Sequence, residues 1–187
     1  MQITIREPGS AITHLIGVIL SVLATTPLLI KVAVQDDHTA FIAMAIFMCS
    51  MVALYSASTI YHSVTVRDRI LRVFRKLDHM MIFVLIAGSY TPICLLILRG
   101  TVGYTLCALV WGIAIAGILI KAFWIYCPKW FSSVLYIGMG WVCVLALPQI
   151  LHALSPAAFG WLLAGGLIYT AGGVIYALKM PLFNAMH

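Results

Sequence analysis

Apolar residues run along this chain in six long blocks, about 11–33, 39–62, 77–98, 103–123, 130–151 and 156–178. Within each block they follow one another without the period-two alternation of a half-buried strand. Each block has about the twenty residues with which an α-helix crosses a hydrocarbon core. The breaks carry polar or turn residues: "QDDH", a basic stretch, "RGTVG", "YCPK" and "HALSP". All are short. The pattern predicts an all-α membrane protein, a bundle of six transmembrane helices forming a single helical domain over 1–187. The first block starts after Arg6 and Glu7 and runs past Ile30, too long for the core of a cleavable signal, so it reads as a true span.

Composition agrees with this. Of 187 residues, 64% are hydrophobic and 9% charged, whereas a soluble domain carries about a quarter charged residues. The net charge of +6 does not imply a nucleic-acid partner, because its positions follow the membrane. Arg67, Arg69, Arg72, Arg75 and Lys76 share one connection. With the N-terminus inside, nine basic residues fall on inner segments (Arg6, those five, Lys121, Lys129 and Lys179) and two, Lys31 and Arg99, on outer ones. This asymmetry predicts a multi-pass protein of the cell membrane with a cytoplasmic N-terminus and lipids as its partners. The basic connection "VRDRILRVFRK" interleaves arginines with Ile70, Leu71, Val73 and Phe74. It reads either as a short interfacial helix or as a plain positive loop. Five scattered cysteines, at 49, 94, 107, 127 and 143, lack metal-ligand spacing and read as small packing residues. In "AGGLIYTAGG", Gly165 recurs at Gly172 and Gly166 at Gly173, a small-residue stripe that suits close helix packing.

Polar residues at the inner ends of the spans carry the candidate chemistry. Glu7 and His14 begin the first span, Ser58 and His62 close the second, and Asp78 and His79 open the third. A charged residue at the centre of a span costs about 2.5–3.5 kcal/mol, and less toward its ends. A single histidine near a helix end is usually a hydrogen-bonded interfacial group. Ionisable residues at one depth on three helices point instead to an interior site. Ser58 and His62, four apart, share a helix face, which offers the hydroxyl to the imidazole or to a bound water. Histidine and carboxylate also suit zinc, although two groups do not complete a metal site.

At these residues the sequence resembles the hemolysin III family, bacterial relatives of the progestin and adipoQ receptors, within a superfamily that includes alkaline ceramidases. The resemblance rests on "REPGSAITHLIG", "SASTIYHS", "RKLDHMMIF", "AGSYTP" and "YALKMP". It implies a seven-helix fold with a zinc site on the cytoplasmic side. In that pattern His62 corresponds to a direct zinc ligand, Asp78 to the aspartate that holds a zinc-bound water, and Ser58 to the motif serine. The other two ligands belong to a His-x-x-x-His motif on the seventh helix. No such spacing occurs in this sequence, so the remaining ligands and the last helix are expected beyond His187. The resemblance implies a zinc-dependent hydrolase acting on a lipid amide, with Asp78 and Ser58 catalytic and an effect on membrane lipid homeostasis. The alternative is a non-enzymatic sensor or receptor of lipid or membrane state with structural zinc. A cytolysin is a poorer match to six fixed spans.

Overall fold

The computed structural model describes residues 5–178. Lys179 and His187, and with them the end of "YALKMP", lie outside the described residues. Among those described, the structure is helical throughout and has six helical segments long and apolar enough to cross a membrane, the number the hydrophobic blocks predict. The chain divides into two compact units, Met1–Ile125 and Tyr126–His187.

The first unit holds four spans: α1 (Pro8–Ala33), α2 (His38–Ser63), α3 (Asp68–Pro92, continued by a π-helical turn Ile93–Leu98) and α4 (Gly100–Phe123). Each packs on the next in chain order. Two of the seams set a glycine against a large ring. A Cβ on Gly17 of α1 would lie 2.6 Å from the Tyr55 ring of α2, and one on Gly117 of α4 would overlap the ring of Phe83 on α3. The absence of a side chain at these two positions lets the helices approach, as is common in membranes. Phe83, Ala43, Ala87, Cys94, Val110 and Ala114 are among the most deeply buried residues of this unit.

The helix ends follow local chemistry. Pro8 stands in the first turn of α1, where its missing N–H costs nothing. Asp37 caps α2, its carboxylate accepting from the Ala40 amide at 3.0 Å. At the start of α3 the structure departs from both sequence readings of the basic stretch. From Asp68 onward it is neither a loop nor a separate helix but the first turns of α3 itself. The carbonyl of Arg67 accepts from the amides of Ile70 and Leu71 at 2.9 and 3.0 Å, and Leu, Arg and Lys are all good helix formers. Ile70, Val73 and Leu77 form an exposed apolar stripe along these turns. Lys76 turns the other way, donating to the carbonyl of Ala122 in the last turn of α4. Lys121, in the last turn of α4, is only 1% exposed. At the other end of α3, Pro92 has no N–H to donate, and the helix loosens into its π-helical turn.

The second unit contains α5 (Lys129–Gly140), a 3-10 segment (Trp141–Ala146), α6 (Leu147–Ala153) and α7 (Pro156–Ala177). The fifth block, read as one continuous span, is therefore a helix interrupted in its middle. Pro148 stands in the first turn of α6, and its ring disfavours a continuous α-helix through the preceding turn. Trp141 in the interruption donates its indole N–H to Thr170 of α7 at 2.9 Å. Of the Gly165, Gly166, Gly172 and Gly173 stripe, only Gly173 meets a neighbour, the side chain of Ile137 on α5. The cysteines do not share one role: Cys94 and Cys127 are buried, but Cys49 is exposed.

Candidate functional site

At one end of the first unit, α1 begins, α2 ends and α3 completes its third turn. Here the structure joins the polar residues that the sequence placed at one depth. Ser58 of α2 donates its hydroxyl to Oδ1 of Asp78 on α3. Both are buried, at 5% and 7% exposure, so the bond is made out of reach of bulk water. A carboxylate in such a place requires partners, since an unpaired buried charge is costly. Asp78 has a second one in His79, whose Nδ1 lies 3.4 Å from Oδ2. His62 stands one helical turn beyond Ser58 on α2.

Helical spacing offered Ser58 to His62. The structure gives it to Asp78 instead. A carboxylate is the stronger acceptor for a hydroxyl, and the near nitrogen of His62 is already engaged. His62 Nδ1 lies 2.6 Å from Oε2 of Glu7, and the Glu7 amide donates to the His62 carbonyl at 3.0 Å. Glu7 therefore joins the site. Sequence reasoning marked it as a candidate by depth alone, and its partner stands 55 positions away. The one local signal was the following Pro8, which fixes Glu7 as the residue before α1. Arg6 completes this corner, 4.1 Å above the Tyr61 ring and 3.1 Å from the other oxygen of Glu7.

The histidines share a feature. His14 Nδ1 lies 2.8 Å from the carbonyl of Ser10, and His79 Nδ1 lies 2.9 Å from that of Arg75. A carbonyl oxygen can only accept, so both nitrogens carry the proton. His62, facing a carboxylate, follows the same rule. Each ring is thus held through Nδ1, and in the Nδ1–H form the lone pair is on Nε2. The His14 and His62 ring centres are 5.3 Å apart.

The donor types suit zinc: imidazoles fixed through Nδ1 by an oxygen, beside an oriented carboxylate, are the usual surroundings of that metal. The set is nonetheless partial. Among the described residues, no group of three or more His, Cys, Asp or Glu side chains is arranged to hold a metal ion.

Comparison with known proteins gives this arrangement its relatives. The family model described as Haemolysin-III related matches residues 2–183. Hemolysin-3 of Bacillus cereus is 38% identical over 183 residues, covering 98% of this chain and 83% of that protein. The Hemolysin-3 homolog of Bacillus subtilis (strain 168) is 38% identical over 185 residues, covering 98% of this chain and 86% of its own length. Progestin and adipoQ receptor-like protein 1 of Caenorhabditis elegans is 26% identical over 196 residues, covering 94% of this chain and 43% of that protein. The chain is a multi-pass membrane protein and belongs to the Haemolysin-III related family.

Proposed function

We propose that this protein is a zinc-dependent hydrolase of lipid amides that acts within the cell membrane and alters its lipid composition. The observation that carries the reading is the buried bond between Ser58 and Asp78, at the same end of the unit as the contact of His62 with Glu7. Membrane-spanning helices seldom bury a carboxylate without a function. The unequal distribution of Lys and Arg supports an N-terminus in the cytoplasm, which sets the site near the inner leaflet, where an amphiphile has its head group.

His62 would hold the metal through Nε2, joined by donors beyond the described residues. Zinc, when bound, lowers the pKa of water to about 7 and polarises a carbonyl. The protein's own groups do the rest. Ser58 holds Oδ1 of Asp78 and so aims the carboxylate. Asp78 takes a proton from the attacking water and returns it to the departing amine as the carbon–nitrogen bond breaks. The burial of the pair excludes competing water.

A sensor of lipid or membrane state is the second reading. It is favoured by the receptor-like name of the nematode relative. The cytolysin suggested by the bacterial relatives' names has less support, because each of the six spans contains a long apolar stretch and fixed spans suit a resident membrane protein better than one that leaves the cell.

Zinc content and fatty-acid release from N-acylated lipids separate the first two readings. The protein is purified as its gene encodes it and reconstituted in lipid. His62→Ala is expected to lose both metal and hydrolysis, and Asp78→Asn to keep metal and lose hydrolysis. A wild type that releases no fatty acid, while both variants alter membrane composition in cells, would replace the hydrolase with the sensor.

A further inference from the structure

Glu7 directs all of its polar groups to stated partners, and the partners are informative. A residue before a helix commonly turns its side-chain oxygen back onto the first amides of that helix. Glu7 does not cap α1 in this way. Its carbonyl accepts from Ala11 at 2.9 Å, which starts the helix. Because it precedes Pro8, its backbone is kept out of the helical region, at φ −137° and ψ 80°. Its amide is thereby directed away from α1 and reaches the carbonyl of His62. Its side chain follows, placing Oε2 at 2.6 Å from His62 Nδ1, while Oε1 lies 3.1 Å from Arg6. Arg6 is in turn seated on Tyr61. Two consecutive residues of the N-terminal segment thus bracket two consecutive residues at the end of α2.

We infer that Glu7 is the positioning residue of this site: it holds the His62 ring in the Nδ1–H form, so that Nε2 presents its lone pair. Free imidazole side chains favour the opposite form, with the proton on Nε2. Such a ring can neither ligate a metal nor accept a proton through Nε2. The hydrogen bond at one nitrogen decides what the other can do. The contact with Glu7 rests on geometry alone; its consequence for zinc rests on the function proposed above. His14 and His79 differ in that backbone carbonyls fix them, so no side-chain substitution at position 7 reaches their Nδ1 partners.

Nitrogen-15 NMR of histidine-labelled protein in lipid nanodiscs reads this directly, with the His62 signals assigned by their loss in His62→Gln. In the wild type, Nδ1 of His62 is expected to be the protonated nitrogen. Glu7→Ala should move the proton to Nε2, and Glu7→Gln should keep it on Nδ1, because the amide oxygen also accepts. His14 and His79 should keep the Nδ1–H form throughout, which controls for a change of fold. Zinc titration of the same samples should show affinity about 10–100-fold weaker in Glu7→Ala, with most of it restored in Glu7→Gln. A wild-type His62 protonated on Nε2 overturns the inference without any variant, as does a His62 signal unchanged in a folded Glu7→Ala. Should Glu7→Ala fail to fold, Glu7→Asp, one methylene shorter, should still show loss of the Nδ1–H form. A wild type that binds no zinc, but whose His62 proton moves with Glu7, would support the positioning role and defeat the zinc reading alone.

Discussion

The two ends of the four-helix unit hold similar residues and use them in opposite ways. At the end where α2 meets α3, Asp78, Ser58, His62 and Glu7 bond across helices, and two of the four are buried. At the other end, Asp36 and Asp37 stand in the α1–α2 turn, His38 begins α2, and Arg99 follows the π-helical turn. The bonds there are local: Asp37 to Ala40, and Arg99 to the carbonyl of Leu96 at 2.9 Å. An aspartate that caps its own helix saves a helix end. An aspartate that bonds to another helix out of contact with water fixes a relative position, which chemistry requires. The lesson is that acid and histidine near a helix end say little until their partners are known.

The largest difference between the ends should appear in function. Asp78→Asn is isosteric and leaves Ser58 an oxygen to bond, yet it removes the group that accepts a proton. For the hydrolase proposed here, the loss should be about 10²–10⁴-fold in turnover. Asp37→Asn, at the far end, should leave turnover unchanged, because asparagine caps a helix as well as aspartate does. Equal losses in the two variants, measured by fatty-acid release, would remove the distinction between the ends.

Packing comes next. Gly17 faces Tyr55 across the seam that carries Glu7 toward His62, and no atom within 4 Å would meet a side chain on Gly9. Gly17→Val should destabilise the protein by about 1–3 kcal/mol through overpacking, and Gly9→Ala should not destabilise it. Unfolding in graded detergent mixtures orders the two. A stable Gly17→Val would mean that α1 does not lie against α2 as closely as this.

The hydrogen bonds themselves should matter less. Bonds between transmembrane helices average about 0.6 kcal/mol and reach about 1.7. Ser58→Ala is expected within that range, because Asp78 keeps His79. The neighbouring Thr59 bonds only to the carbonyl of Tyr55 in its own helix, at 2.7 Å. Thr59→Ala should therefore fall within about 0.5 kcal/mol of the wild type. The same unfolding assay compares them, and a larger effect at Thr59 would contradict the cross-helix reading.

Much of this was legible in the sequence. Six apolar blocks gave six spanning segments, since helix length and hydropathy are local properties. The start of α3 was less legible, because a window rich in arginine scores as polar even when it is helical; the helix begins at Asp68, not near 77. The interruption after Gly140 was missed for a similar reason, as hydropathy does not register whether a proline stands in a helix or breaks it. Depth brought Glu7, Ser58, His62, Asp78 and His79 to one level, and no sequence pattern could go further. Whether Ser58 reaches the ring four residues on or the carboxylate 20 residues on depends on how α2 and α3 face each other. Pairing between helices is a property of the fold.

Effects as modest as those of the hydrogen bonds concern backbone strain at the far end. Arg99 has φ 41° and ψ 166°, and Asp36 has φ 53°. Both are in the positive-φ region that side chains disfavour, but not to the same degree. Aspartate is among the residues that tolerate it, since its short polar side chain can bond locally. An arginine gains no such relief, and its extended ψ adds to the strain. Arg99→Gly should therefore stabilise the protein by about 1 kcal/mol, reduced slightly by the loss of the exposed bond to Leu96. Asp36→Gly should gain no more than about 0.5 kcal/mol. Neither change touches α1–α3 at the site end, so neither should alter hydrolysis or the His62 ring proton. A loss of either in Arg99→Gly would show that the two ends are coupled, and the contrast between them would no longer hold.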